Sequence, residues 1–244
     1  MKIISVKTKP IIVGDNFLKI LDKGIASLSD KSVVCITSKI VSICEKRVVK
    51  IGTKDKDTLI KEEADLYLPV KNKYNFHLSI KNNVIIPSAG IDESNGNGYY
   101  ILWPRNPQLS ANRIRKYLSN KFKLKNLGVI IVDSKTTPLR WGVTGVAVAY
   151  SGFNPLNNYI GTKDIFGRVF KVEKVNIADA LAASSVVVMG EGNEQTPIAI
   201  IEDIPFVKFE KRNPSDKELK EWAISLEDDL YGQILTSVKW KIRK

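Results

Sequence analysis

Apolar and polar positions alternate over Lys2–Lys7, the period of a strand with one covered face, and an edge strand is predicted there. Asp15 or Asn16 then precedes Phe17, Ile20 and Leu21 at helical spacing, which reads as a capped amphipathic helix. Beyond the polar turn at Ser29–Lys31, Val33–Ile36 is an unbroken apolar run, a buried strand that ends at Thr37 and Ser38. The end of that strand puts two hydroxyls beside exposed backbone amides. A short strand follows at Val48–Ile51, then a helix over Thr58–Ala64 with a carboxylate cluster at Glu62, Glu63 and Asp65. Phe76–Ile80 and Val84–Ile86 form a hairpin through Lys81-Asn82-Asn83, because Asn tolerates the positive φ of a tight turn.

The chain leaves this hairpin as a polar, glycine-rich loop, Pro87–Gly98, with adjacent carboxylates. Pro107–Phe122 is a helix with Pro at its start and Leu109, Ile114 and Leu118 on one side. Leu127–Val132 is the strongest strand signal and ends in Asp133-Ser134, at the carboxyl end of a buried strand, where α/β proteins often place their chemistry. After it come a polar loop with Arg140-Trp141-Gly142, a small-residue stretch at Gly145–Gly152 and an alternating strand at Val169–Val175. An alanine-rich helix over Ala178–Met189, a buried strand at Pro197–Ile201 and two helices within Pro214–Trp240 complete the pattern. The charged end, Lys241–Lys244, is expected to be disordered.

Composition narrows the function classes only modestly. At 244 residues with 43% apolar and 26% charged positions, the chain can bury a real core, and disorder and fibres are excluded. Its apolar runs are far below the ~20 residues that cross a bilayer, and its start lacks a secretory pattern, so a cytoplasmic protein is expected. Cys35 and Cys44 are too few for a disulfide scaffold and read as free, part-buried thiols. The net charge of +12 suggests anionic partners, yet the lysines lie in mixed runs such as Lys54–Asp57, without a basic arm or zinc-finger spacing. Nucleic acid is therefore a poor candidate, and phosphorylated small molecules a better one.

Neither a Walker A loop nor a dinucleotide fingerprint is present. One histidine, His77, cannot build a multi-histidine zinc site and is assigned to structure. What remains are carboxylates, hydroxyls and basic side chains, the groups that make magnesium or manganese sites for phosphate substrates. Asp92 with Asn95, and Asp133 with Ser134, are the candidate ligands from two separate loops. The competing structural reading is an Asx-turn at Asp92 and a cap at Asp133, and local sequence alone favours it. Arg140, Lys163 and Arg168 could neutralise phosphate or pair with surface acids, and the guanidinium groups suit phosphate better.

The strings Ser88-Ala-Gly-Ile-Asp-Glu-Ser-Asn95, Gly128-Val-Ile-Ile-Val-Asp-Ser134, Gly161-Thr-Lys-Asp-Ile-Phe-Gly-Arg168, Ala178-Asp-Ala-Leu-Ala-Ala and Met189-Gly-Glu-Gly192 occur in that order. Together they resemble the family of coenzyme F-420:glutamate ligases, from about Ile3 to Asp203. The resemblance implies an α/β (mixed α+β) fold of mixed sheets with flanking helices, an intertwined homodimer and a ligase-like domain over 1–205; the part over 206–244 lies beyond it and reads as a variable helical extension packed on the same domain. It also implies a GTP- (or ATP-) and Mg- or Mn-dependent enzyme that joins L-glutamate to a deazaflavin precursor. Asp92, Asp133 and Ser134 would hold metal, with Ser38, Lys39 and Asn95 on nucleotide. The resemblance assigns no individual roles in the Lys163–Arg168 stretch; on the chemistry of the joining step, basic residues such as Arg140 or Arg168 could hold the anionic acceptor.

Two departures bear on this. A lysine the family places on nucleotide falls at Ile43, and its Asp-Thr-x-Gly-Arg loop becomes Asp133-Ser134-Lys135-Thr136-Thr137. Two alternatives to the default acceptor are kept: glutamylation of a folate-like or other anionic molecule, and a noncatalytic relative that binds nucleotide or nucleic acid.

Overall fold

The computed structural model describes residues 1–243. Its strands are β1 (Lys2–Val6), β2 (Ser32–Thr37), β3 (Val48–Lys50), β4 (Leu66–Lys71), β5 (His77–Lys81), β6 (Val84–Pro87), β7 (Tyr99–Ile101), β8 (Leu127–Thr136), β9 (Val143–Ser151), β10 (Leu156–Asn158), β11 (Lys174–Asn176), β12 (Ile198–Glu202) and β13 (Lys241–Ile242). Its α-helices are α1 (Phe17–Gly24), α2 (Ser38–Cys44), α3 (Lys56–Glu63), α4 (Pro107–Phe122), α5 (Ile177–Met189), α6 (Asp216–Trp222) and α7 (Gly232–Thr236). This is a mixed α+β architecture, and no helix among the described residues is long and apolar enough to cross a membrane.

The central sheet has the order β1-β12-β2-β8-β9, with β2 and β8 parallel and the other neighbours antiparallel. β2 and β8 are apolar on both faces because helices cover both. Val34, Ile36, Leu127, Val129 and Ile131 pack under α1, α2 and α4. Val33, Cys35, Ile130 and Val132 point the other way, against α5 and the segment after residue 205, which contributes Val207, Phe209, Leu219 and Trp222. Trp222 meets Tyr150 edge-to-face at 5.0 Å between ring centroids, and Asn213 accepts from Arg115 at 2.7 Å, so this segment lies on the same core. A four-stranded antiparallel sheet, β13-β4-β5-β6, stands beside it over a third apolar cluster around Leu59, Ile60, Tyr67 and Leu102.

Several expectations from the pattern need correction. The strand carrying Asp133 does not stop there: β8 runs on to Thr136, and the small-residue stretch after it is its partner β9. Gly145 makes that pairing compatible with α5, since a Cβ there would stand 2.4 Å from the Ala182 carbonyl oxygen. The predicted strand at Val169–Val175 shrinks to β11 and one bridge between Val169 and Lys163, because the alternating apolar groups meet no buried face. β4 gives no strand signal in the pattern because Pro69 interrupts its run. The charged end is ordered through Ile242, where β13 pairs with Leu66 and Tyr67, and Lys244 lies outside the described residues.

His77 is buried, its Nδ1 3.3 Å from the Leu68 carbonyl oxygen and its Nε2 3.5 Å from Asp57, a structural placement. Both cysteines are free thiols, and burial pushes Cys35 up to about 12 and Cys44 to about 11.

Candidate active site

The site is a cavity of about 790 Å³ at the carboxyl end of β2, where the 88–98 loop, the outer half of β8 and the loop after α5 converge. Its first wall is the loop. Ser88, Ala89 and Gly90 all have positive φ, an arrangement costly for the first two and held by Ser79, whose Oγ accepts from the Ala89 amide at 2.7 Å. Past this left-handed turn, Asp92 exchanges two backbone hydrogen bonds with Ile101, of 3.0 and 2.7 Å. That bridge fixes where its carboxylate points. Asp92 Oδ1 accepts from the Ser94 amide at 2.8 Å, so the Asx-turn is real, and Oδ2 meets the Lys39 ammonium at 2.6 Å. Burial alone would raise this carboxyl, but Lys39 and the Ser94 donors outweigh it and hold it below the ordinary carboxylate range.

The second wall is the sheet. Period-two alternation puts Asp133 on the same face as Ile131, and there it meets the indole of Trp103, whose Nε1 donates to Oδ2. The Ser134 amide donates to Oδ1 at 2.8 Å. Burial, helped by the negative charge of Asp92, nevertheless pushes the Asp133 carboxyl up to about 6, against smaller downward effects of Ser134, Trp103 and Lys39. Asp133 is a mid-strand residue here, not the turn or helix cap that its local sequence offered.

The third wall is the loop following α5. Ser134 Oγ donates to Glu191, Asn95 Nδ2 donates to the Gly192 carbonyl oxygen at 2.8 Å, and the Gly192 amide donates to Glu194 at 2.8 Å. The lining also has an apolar part built from Ile11, Ile12, Ile40, Ile43 and Ile86. Ile43 is buried in this side, so the position that departs from the family pattern is part of the cavity wall.

Lys39, Asp92, Asn95, Asp133 and Ser134 thus share one cavity. Ser38 is buried at the start of α2 and does not line it, whereas Thr37 does. Arg140 and Arg168 stand in exposed loops outside the lining, Arg140 at the tip of the β8–β9 hairpin and Arg168 in the 159–173 arm. Lys135 and Thr136 continue β8 without lining the cavity, although Val143, the β9 partner of Thr136, does line it. Sequence reasoning missed Trp103, for which a single indole before Pro104 gave no signal, and the lining groups Lys9 and Glu194.

The lining carries four carboxylates, Asp92, Asp133, Glu191 and Glu194, against two ammonium groups, Lys9 and Lys39. An anionic phosphate cannot enter such a cavity favourably without added cations. Asp92, Asp133 and Ser134 are hard oxygen donors and suit Mg²⁺ or Mn²⁺. No three His, Cys, Asp or Glu side chains converge on one point among the described residues, so a cation would complete its shell with water and phosphate oxygens.

The family model for F420-0:Gamma-glutamyl ligase matches residues 5–203. The chain belongs to that family. Its relatives include two named Coenzyme F420:L-glutamate ligase from Methanococcus maripaludis. The strain C7 protein is 37% identical over 194 residues, 73% of this chain and 78% of the relative. The strain S2 protein is 36% identical over 211 residues, 79% and 82% respectively. A protein of the same name from Methanocaldococcus jannaschii is 42% identical over 128 residues, 52% of this chain and 51% of the relative. The family match ends at residue 203, so the segment that packs Trp222 against Tyr150 lies outside it.

Proposed function

We propose that this protein is a nucleotide- and divalent-metal-dependent γ-glutamyl ligase whose default acceptor is the deazaflavin coenzyme precursor. The observation that carries the reading is the pairing of Asp92 and Asp133 from separate elements across one cavity whose lining is net acidic. Lys39 neutralises Asp92, which leaves Asp133 and the remaining carboxylates of the lining in excess, and a bound cation would offset that excess.

Amide formation from a carboxylate and an amine needs an activated acyl group. An acceptor carboxylate oxygen attacks the γ-phosphorus of GTP or ATP, the bond to the β-phosphate oxygen breaks, and nucleoside diphosphate leaves. The glutamate amine then attacks the acyl phosphate carbonyl, expels inorganic phosphate and gives up a proton. Bound metal would offset charge on the transferring phosphoryl group. Lys39 would hold phosphate once a cation relieves it of Asp92, and Asn95 would contact the nucleotide. The isoleucine side suits the flat face of a base or of the acceptor ring. Arg140 and Arg168 do not line the cavity, and in this reading they would meet the anionic acceptor of a second copy.

The arm over residues 159–173 supports a homodimer in this reading. Ile165 and Phe166 are 92% and 90% exposed in it, an apolar tip that a second copy could cover. Light scattering at micromolar concentration would show a dimer; a well-folded monomer would count against it.

The functional test is calorimetric titration with GTP and with ATP, each with and without Mg²⁺ or Mn²⁺. Metal-dependent binding of one nucleotide, followed by glutamate-dependent phosphate release with an acceptor, is expected. No binding of either nucleotide would remove the ligase reading and leave a noncatalytic relative.

A further inference from the structure

Beside Trp103 lies a part-buried ionic group that the proposed chemistry does not use. Glu63 of α3 accepts from Arg47 at 2.8 Å on both oxygens and from Lys81 of β5 at 2.6 Å. Arg47 Nε also donates to the Trp103 carbonyl oxygen at 3.1 Å, and the Lys81 ammonium lies 5.8 Å from the centre of the Trp103 ring. Trp103 itself is 1% exposed, between β7 and α4. On its other side the chain makes room for it: a Cβ on Gly90 would stand 2.3 Å from the indole Nε1. Backbone, ring face and ring edge are therefore each fixed by a different part of the fold, and the one polar atom of the side chain is spent on Asp133.

A plain core position would be served by a leucine or phenylalanine, with no need for a three-residue ionic mount or a glycine cut-out. We infer that Trp103 is the positioning residue for Asp133: its indole N–H sets the rotamer of that carboxylate and so presents it to the divalent cation. The inference rests on the metal-dependent reading above. Groups that orient a metal ligand from behind are worth about 10- to 100-fold in metal affinity.

The test compares Mn²⁺ binding, by calorimetry or electron paramagnetic resonance, in wild type and in Trp103→Phe, which keeps an aromatic ring and loses the donor. Leu118→Ala, a core truncation in α4, serves as the control for lost packing. A 10-fold or greater loss of Mn²⁺ affinity in W103F, with L118A unchanged, is expected. Equal affinity in W103F and wild type, measured with GTP present, overturns the inference, whereas absence of Mn²⁺ binding by wild type even with GTP or ATP present overturns the ligase reading on which it rests.

A measurement on the wild-type protein covers the case in which W103F does not fold. With ¹⁵N-labelled indoles, the Trp103 N–H resonance is identified by elimination through Trp141→Phe, Trp222→Phe and Trp240→Phe. It should be protected from solvent exchange and should move on titration with Mg²⁺ while the other three stay still. An exchanging or unresponsive Trp103 resonance overturns the proposal.

Discussion

The two walls of the cavity hold their carboxylates in opposite ways. Asp92 belongs to a loop, with its side chain 45% exposed, and carries a matched cation, Lys39, at 2.6 Å. Asp133 belongs to a strand of the central sheet, and its hydrogen bonds come from neutral donors, an indole and a backbone amide. Burial pushes both carboxyls up; Lys39 and the Ser94 donors overcome it at Asp92, whereas at Asp133 the two neutral donors do not, and its carboxyl is pushed up to about 6. The difference leaves the loop wall charge-paired and the sheet wall held by neutral donors alone. On the proposed metal-dependent reading, a cation entering between them would draw most on Asp133 and would release Lys39 from Asp92.

The sharpest way to break this comparison is Asp133→Asn. It keeps an oxygen acceptor for Trp103 and removes the charge, so metal-dependent nucleotide binding should fall more than about 100-fold in calorimetry. Unchanged binding would remove Asp133 from the site. The same variant has a stability signature. The folded-state value near 6 lies above the ordinary 3.8, so the native state holds the proton more tightly between those values. Stability conferred by the neutral acid is full below about pH 4 and is lost as pH rises through about 6, by at most about 3 kcal/mol for a two-unit shift. Urea midpoints of wild type, measured without metal, should therefore decline from pH 4 to 7 relative to D133N, and added Mg²⁺ should remove the decline.

Gly90→Ala strikes the point where the walls touch. A methyl group 2.3 Å from the indole nitrogen, at a backbone φ of +71°, forces either the turn or Trp103 to move. A loss of about 2–4 kcal/mol is expected in denaturant unfolding, from overpacking and backbone strain together. Weakened Mn²⁺ affinity should accompany it. A variant as stable as wild type would show that the indole is not confined as described.

Lys39→Met sharpens the other side. Losing the ammonium leaves Asp92 without its charge partner, so divalent metal alone should bind as well as before or more tightly. Nucleotide in the presence of metal should bind about tenfold more weakly, the scale of one charge-assisted hydrogen bond. Parallel loss of both affinities would mean that Lys39 orders the site and does not contact phosphate.

Much of this arrangement was legible in the chain, for reasons visible at particular residues. The unbroken run Leu127–Val132 announces a strand covered on both faces, and Asn16 and Pro107 announce helix starts, because these signals act over a few residues. The 88–98 loop was equally visible from its Gly and Asn content. Contacts that close over long separations were not. Nothing near Trp103 predicts Asp133, 30 residues on, and nothing in Arg140 shows that its hairpin carries it away from the cavity. The alternation at Val169–Val175 misled because the period of a strand says nothing about whether a neighbour exists to pair with it.

Asn95→Ala makes the smallest demand on the comparison. Asn95 ties the loop wall to the third wall through one exposed hydrogen bond to the Gly192 carbonyl oxygen, 2.8 Å long. An exposed bond of this kind contributes about 0.5 to 1.5 kcal/mol, and water can replace part of it. The melting temperature should therefore fall by less than about 4 °C for a chain of this size. Nucleotide affinity with metal present should weaken about threefold, consistent with loss at the lower end of that range. Metal affinity alone should stay unchanged, since neither Asp92 nor Asp133 loses a partner. If N95A instead abolished metal binding as D133N is expected to, the loop and sheet walls would have to act as one unit. The division between a charge-paired carboxylate and one awaiting a cation would then fail.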